Sequence, residues 1–164
     1  MRALIDFTEK LRRVSPAAAN LALTAAIRQV VPLAGTMNIR VDELTDTRSR
    51  MSLPRRWRVK NHMGDIYFGA EMTLMELTMA SLLLKRFPLG DYGVLVKRVE
   101  SDFRARAKGG VRAVCELPPE FFATLEGALR QKGDKTEAWV PARLLAQDDT
   151  VICEARFLAA LKKF

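Results

Sequence analysis

Hydrophobic spacing changes period several times along the chain, and each change marks an element. Leu4, Phe7 and Leu11 recur at helical spacing. Ser15-Pro16 then reads as an N-cap followed by proline at the first helical position. This predicts a second helix through Ala-rich sequence to about Val31, stopped at Pro32. Met37, Ile39 and Val41 alternate with Asn38, Arg40 and Asp42, the period of a half-buried strand. A second, more polar strand is expected over about Thr47 to Leu53, and a third short run at Trp57-Arg58-Val59.

From Gly69 to about Lys85 apolar residues occupy every side of a helix, including Leu74, Met75, Met79, Leu82 and Leu83. Such a helix is expected to be buried all round, so a sheet must curl about it or a second subunit must cover it. After Pro88, Leu95, Val99, Phe103 and Ala105 fall on one side of a long strand. Lys108-Gly109-Gly110 reads as a hairpin turn, with Val111 to Leu117 as its return strand. Pro118-Pro119 opens a short helix over Glu120 to Gln131, ended by Gly133. Two strands close the chain, about Thr136 to Ala146 and Val151 to Leu161, joined by a turn at Gln147-Asp148-Asp149. The order predicts one α+β domain over residues 1–164, with a mostly antiparallel sheet and residues 1–31 packed on it as a helical extension.

Composition narrows the function classes. The chain has 164 residues and a formal net charge of +8. Its basic residues come in small groups such as Arg55-Arg56 and Lys97-Arg98, without interleaved aromatics, which argues against a nucleic-acid platform. A few could face an anionic ligand. No apolar run approaches the ~20 residues of a membrane helix. Charges at Asp6 and Glu9 oppose a secretory signal, so a cytoplasmic protein is expected. Cys115 and Cys153 are the only cysteines and His62 the only histidine, which disfavours a zinc site; no cofactor is expected.

Chemistry concentrates around the apolar helix. Glu71 stands in its first turn, where the dipole favours a solvated negative charge. Glu76 stands mid-helix among Leu74, Met75 and Leu77; burial there would raise its pKa towards that of a general base. A structural carboxylate paired with arginine, or one meeting solvent at a dimer seam, is the competing reading. The loop from Asn61 to Ala70 runs into the helix start, whose free N–H groups suit an anion or a developing oxyanion. Asn61 could orient water or a carbonyl; His62 more simply reads as a surface residue.

The run Asn61-x-x-Gly64-x-x-x-x-Gly69-Ala70-x-x-x-Leu74-x-Glu76 resembles the loop-and-helix signature of PaaI-type hotdog acyl-CoA thioesterases. Gly90-Asp91-Tyr92, Asp102-Phe103-Arg104-Ala105 and the closing hairpin from Ala146 to Ala155 extend the resemblance to a thioesterase-like domain family of unknown function. The resemblance implies a hotdog fold, with the sheet wrapped round the helix, and a homodimer or homotetramer. It implies that Glu76 activates water or attacks the thioester, and that Asn61 positions water or substrate across the subunit interface. The amides of Phe68 or Gly69 would form the oxyanion hole. The substrate would be an acyl-CoA or an acyl-carrier-protein thioester, with coenzyme A entering only as part of the substrate. Tyr67 stands where those enzymes often have His, and Phe68 where they have the first Gly of a pair. That departure keeps a second expectation open, a non-catalytic module that binds an acyl chain.

Overall fold

The computed structural model describes residues 2–164, with the side chains of residues 2–6, Glu9 and Lys132 outside the description. Of the first helical stripe only Leu4 therefore lies outside the described side chains; Phe7 is exposed and Leu11 half-buried. Helices α1 (Arg2–Val14), α2 (Pro16–Val30) and α3 (Pro32–Met37) come first, then strands β1 (Arg40–Leu44) and β2 (Arg48–Leu53). Helix α4 (Phe68–Arg86) follows, then β3 (Tyr92–Phe103), β4 (Val111–Glu116), α5 (Pro119–Lys132), β5 (Lys135–Leu145) and β6 (Val151–Lys163). Among the described residues six strands form one sheet in the order β1-β2-β4-β5-β6-β3, with each strand pairing antiparallel.

Ser15 caps α2 as its sequence predicts, its hydroxyl accepting from the Ala18 amide at 3.3 Å. The same helix then presents Asn20, Thr24 and Arg28, four residues apart, to the outer edge of β1. Asn20 Nδ2 donates to the Asp42 carbonyl. Thr24 Oγ1 accepts from the Val41 amide at 2.9 Å, and Arg28 Nε donates to the Ile39 carbonyl at 3.0 Å. An open sheet edge invites pairing with other chains. Here a polar helix stripe closes it.

The other edge is different. Among the described strands β3 pairs only with β6, and it is 12 residues long. A bulge between Val96 and Arg98 shifts its register, and Leu95, Val99 and Phe103 are exposed by 73%, 41% and 42%.

Helix α4, 19 residues and about 28 Å long, lies across β2, β4 and β5. Leu74, Met75, Met79, Leu82 and Leu83 are essentially inaccessible on its sheet side. Thr78, equally buried, satisfies its hydroxyl by donating to the Leu74 carbonyl at 2.7 Å. Among the described residues no helix is long and apolar enough to cross a membrane.

Four expectations need correction. α4 is not buried on all sides: Met72, Leu77, Ala80 and Leu84 are only half-buried, and Glu76 is exposed. Leu77, Ala80 and Leu84 face a shallow apolar groove whose other wall includes Leu23, Ile27 and Val30 of α2. The run was apolar on two sides because it meets two different layers. Lys108-Gly109-Gly110 does not close a hairpin, because β3 pairs with β6 while β4 pairs with β2 and β5. Residues 104–110 instead carry the chain across the sheet. Trp57–Val59 is a single 3₁₀ turn. Met37 belongs to α3, which Asn38 ends at φ 62°, so the strand begins at Arg40.

Candidate functional site

The loop from Lys60 to Tyr67 is held from both sides. The Ile66 amide donates to the Ala107 carbonyl at 3.0 Å, and the Tyr67 amide to the Val59 carbonyl at 2.7 Å. Within the loop, Asn61 Oδ1 accepts from the amides of Met63 at 2.9 Å and Asp65 at 3.1 Å. That commits the side-chain oxygen of Asn61 to the turn and leaves its Nδ2 as the group that can meet a ligand. Gly64 turns the loop at φ +80°, a conformation that disfavours a side chain. Its carbonyl accepts from Arg55 Nη2 at 2.7 Å.

The chain then enters α4 without a side-chain cap. The amides of Ala70 and Glu71 donate back to the Tyr67 carbonyl at 2.8 and 3.1 Å. Those of Phe68 and Gly69 precede any intrahelical acceptor and find no partner among the described residues. Two N–H groups, together with the helix dipole, therefore face outward at this end.

Beside them is a cavity of ≈ 220 Å³ between the loop, the start of α4 and the segment after β3. Asn61, Asp65, Phe68, Glu71, Phe103 and Arg106 line it. Of the residues expected from sequence, Asn61 and Phe68 therefore share one cavity. Phe68 is 55% exposed, with its ring 5.6 Å from that of Phe103, so it flanks the cavity without sealing it. Tyr67 is exposed and its ring lies over Gly69, where an added Cβ would come within 2.9 Å of Cε1. His62 is exposed in the turn. Glu76 does not line the cavity.

The two helix carboxylates exchange the environments expected of them. Glu71, expected to be solvated, is only 5% exposed. Burial, and then the nearby negative charge of Asp65, push its pKa up from 4.5 to about 7. Asp65 is itself bonded to Arg106, the guanidinium Nε lying 2.5 Å from the carboxylate. Glu76, expected to be buried, is exposed in this chain, although surrounding apolar groups still raise its carboxyl above the ordinary value. Helical phase explains the exchange. Residues 71, 74, 75, 78, 79, 82 and 83 form the buried stripe, spaced by three and four, and 76 falls off it. That spacing was the signal for Glu71. Phe103 and Arg106 carried no comparable signal, because a long-range crossing brings them to the loop. Among the described residues no cluster of three or more His, Cys, Asp or Glu could hold a metal ion.

Residues 19–160 match the model of a family described as a domain of unknown function, DUF4442. The chain belongs to that family. Among solved structures, PA5026 of Pseudomonas aeruginosa, a protein of unknown function called a probable thioesterase, is 26% identical to this DUF4442 chain. It superposes with a TM-score of 0.78 over 86% of this chain and 93% of its own. OLEI01261 of Chlorobaculum tepidum TLS, also of unknown function, is 15% identical, with a TM-score of 0.76 over 91% and 97%. SAV0944 of Staphylococcus aureus, a thioesterase, is 18% identical, with a TM-score of 0.66 over 80% and 99%. No curated protein matches. The DUF4442 chain thus has the hotdog fold of these thioesterase-like structures, α+β with an antiparallel sheet about a long helix.

Proposed function

We propose that this DUF4442 protein hydrolyses an acyl thioester, carried by coenzyme A or an acyl-carrier protein, at the N-terminal end of α4. The observation that carries the reading is the cavity there, lined by Asn61 and Phe68, at a helix start whose first amides, those of Phe68 and Gly69, have no partner among the described residues. A thioester carbonyl accepting from those amides gains most when it becomes an oxyanion, a stabilisation typically worth ~3 kcal/mol. Asn61 Nδ2 donates to the carbonyl or to the attacking water. A carboxylate removes a proton from that water as its oxygen bonds to the carbonyl carbon. Collapse of the tetrahedral intermediate breaks the C–S bond, and the thiolate leaves with the proton.

Glu76 is the base in this reading. It is exposed on its own chain, and a second copy paired along the open β3 edge would bring it to the partner's cavity, which Phe103 at the end of β3 already borders. The assembly would be a homodimer or a homotetramer of such dimers, in the cytoplasm, where the two unbridged cysteines stay reduced. Two forms of the Staphylococcus aureus protein were solved with a glutamine or a glutamate replaced by alanine, and those two positions lie fifteen apart. Asn61 and Glu76 have the same separation, which supports reading them as a pair.

Glu71 supports a second assignment, since it already lines the cavity with a pKa of about 7. The test is hydrolysis of a panel of acyl-CoAs by wild type, Glu76→Gln, Glu71→Gln and Asn61→Ala. Loss of about 10²–10⁴ in kcat for Glu76→Gln supports Glu76 as base. The same loss confined to Glu71→Gln, with the rate rising through pH 7 in wild type, transfers the role to Glu71. A folded chain that retains acyl-CoA without turning it over is instead a binding module, and the hydrolase reading falls.

A further inference from the structure

A separate cavity lies on the opposite face of the sheet, away from α4. It measures ≈ 470 Å³, and Arg40, Asp42, Arg50, Ser52, Arg112 and Gln147 contribute its polar lining. Strand register builds it. Arg40 pairs with Ser52 across β1 and β2, and Ser52 with Arg112 across β2 and β4, so the three stand in one row. The bulge between Val41 and Glu43 brings Asp42 and Arg50 alongside. Gly110 forms part of the wall: a Cβ there would lie 3.3 Å from Gln147 Nε2 and 3.5 Å from the Leu53 carbonyl.

Three guanidiniums thus face one carboxylate. Arg112 is fixed, its Nη2 donating to the Ala146 and Gln147 carbonyls and, at 2.7 Å, to Asp149. Arg50 has its nearest carboxylate, Glu43, at 4.0 Å. The Nε atoms of Arg50 and Arg112 are both buried without an acceptor among the described residues. Native structures rarely leave such donors unmatched, and the cost is higher for charged groups. An acceptor with several negative oxygens would match them, and planar guanidiniums suit phosphate in particular.

We propose that this face of β1, β2 and β4 binds a phosphate group of a small ligand, with Arg40 and Arg50 closing on it and Arg112 as the fixed donor. Asp42, held by the Ser52 hydroxyl at 2.9 Å, opposes the anion and sets the affinity. The phosphate could be free or part of a nucleotide. The inference does not use thioester hydrolysis, so a chain that binds but never hydrolyses would refute the hydrolase reading alone.

The test is calorimetric titration of the full chain at low salt with inorganic phosphate and with adenosine 3′,5′-bisphosphate. Thermal melts check that each variant folds. Saturable binding at one site per chain is expected, weakened by about tenfold or more in Arg40→Ala/Arg50→Ala. Asp42→Asn should tighten it, which a merely structural role would not do, and which keeps the proposal testable if the double variant fails to fold. Arg143→Ala, on the same face but paired with Glu116 at 3.4 Å, should leave it unchanged. The ratio of the two probes' affinities tells free phosphate from nucleotide. No saturable binding of either probe, equal weakening in Arg143→Ala, or no tightening in Asp42→Asn overturns the proposal. So does tighter binding of duplex DNA that falls with the same arginines.

Discussion

Replacing Glu71 by Gln should make the protein more stable above neutral pH and leave it little changed in acid. The carboxyl has a pKa of about 7 in the folded chain, against an ordinary 4.5. The fold therefore holds its proton more tightly than the unfolded chain does. Stability is unaffected below about pH 4.5 and declines as the pH rises through 7. Once the group is fully ionised, the loss is about 3 kcal/mol. Glutamine keeps the shape and never ionises, so the variant escapes that loss. For a chain of this length the difference corresponds to about 6–12 °C in Tm. Thermal melts of both proteins at pH 5 and pH 8, at one fixed concentration because assembly also shifts Tm, read it directly. Wild type should fall relative to the variant between the two pH values. If the curves keep a constant separation, Glu71 is solvated in the folded state and the cavity beside Asn61 is wetter than its geometry indicates.

Thr24→Val keeps the shape of a buried side chain but removes the acceptor of the Val41 amide. It should cost about 1–3 kcal/mol in urea unfolding, and a smaller loss would mean that water reaches the β1 edge. Leu95→Lys places a charge on the exposed β3 edge and should turn a dimer into a monomer in analytical ultracentrifugation. A wild-type chain that sediments as a monomer at every concentration would remove β3 as the pairing edge.

Local rules read the elements better than their partners. Ser15-Pro16 and Gly133 mark helix ends because the terminal backbone needs them, and β2, β5 and β6 carry the strand period on their own. Pairing is a different matter. The glycines at 109 and 110 permit a tight turn, but β3 had already ended at Phe103, and its partner β6 lies about fifty residues further on, a distance no local turn signal spans. Trp57–Val59 is too short for alternation to distinguish a strand from a 3₁₀ turn. The carboxylates were legible in a way that residue neighbourhood concealed. Glu76 has three apolar sequence neighbours within two positions, yet successive helical residues point about 100° apart, so neighbours in sequence do not share a side. Glu71 lies in phase with Leu74, Met75, Thr78, Met79, Leu82 and Leu83, and that phase, not the greasiness of its neighbours, determines which acid loses water. The hotdog architecture survives the exchange because it rests on topology and the family match rather than on either carboxylate. The chemistry depends on the exchange directly. An exposed Glu76 needs a second chain to become a buried base, whereas Glu71 needs nothing beyond its own fold, so hydrolysis by a chain that stays monomeric would exclude Glu76 as the base and leave Glu71.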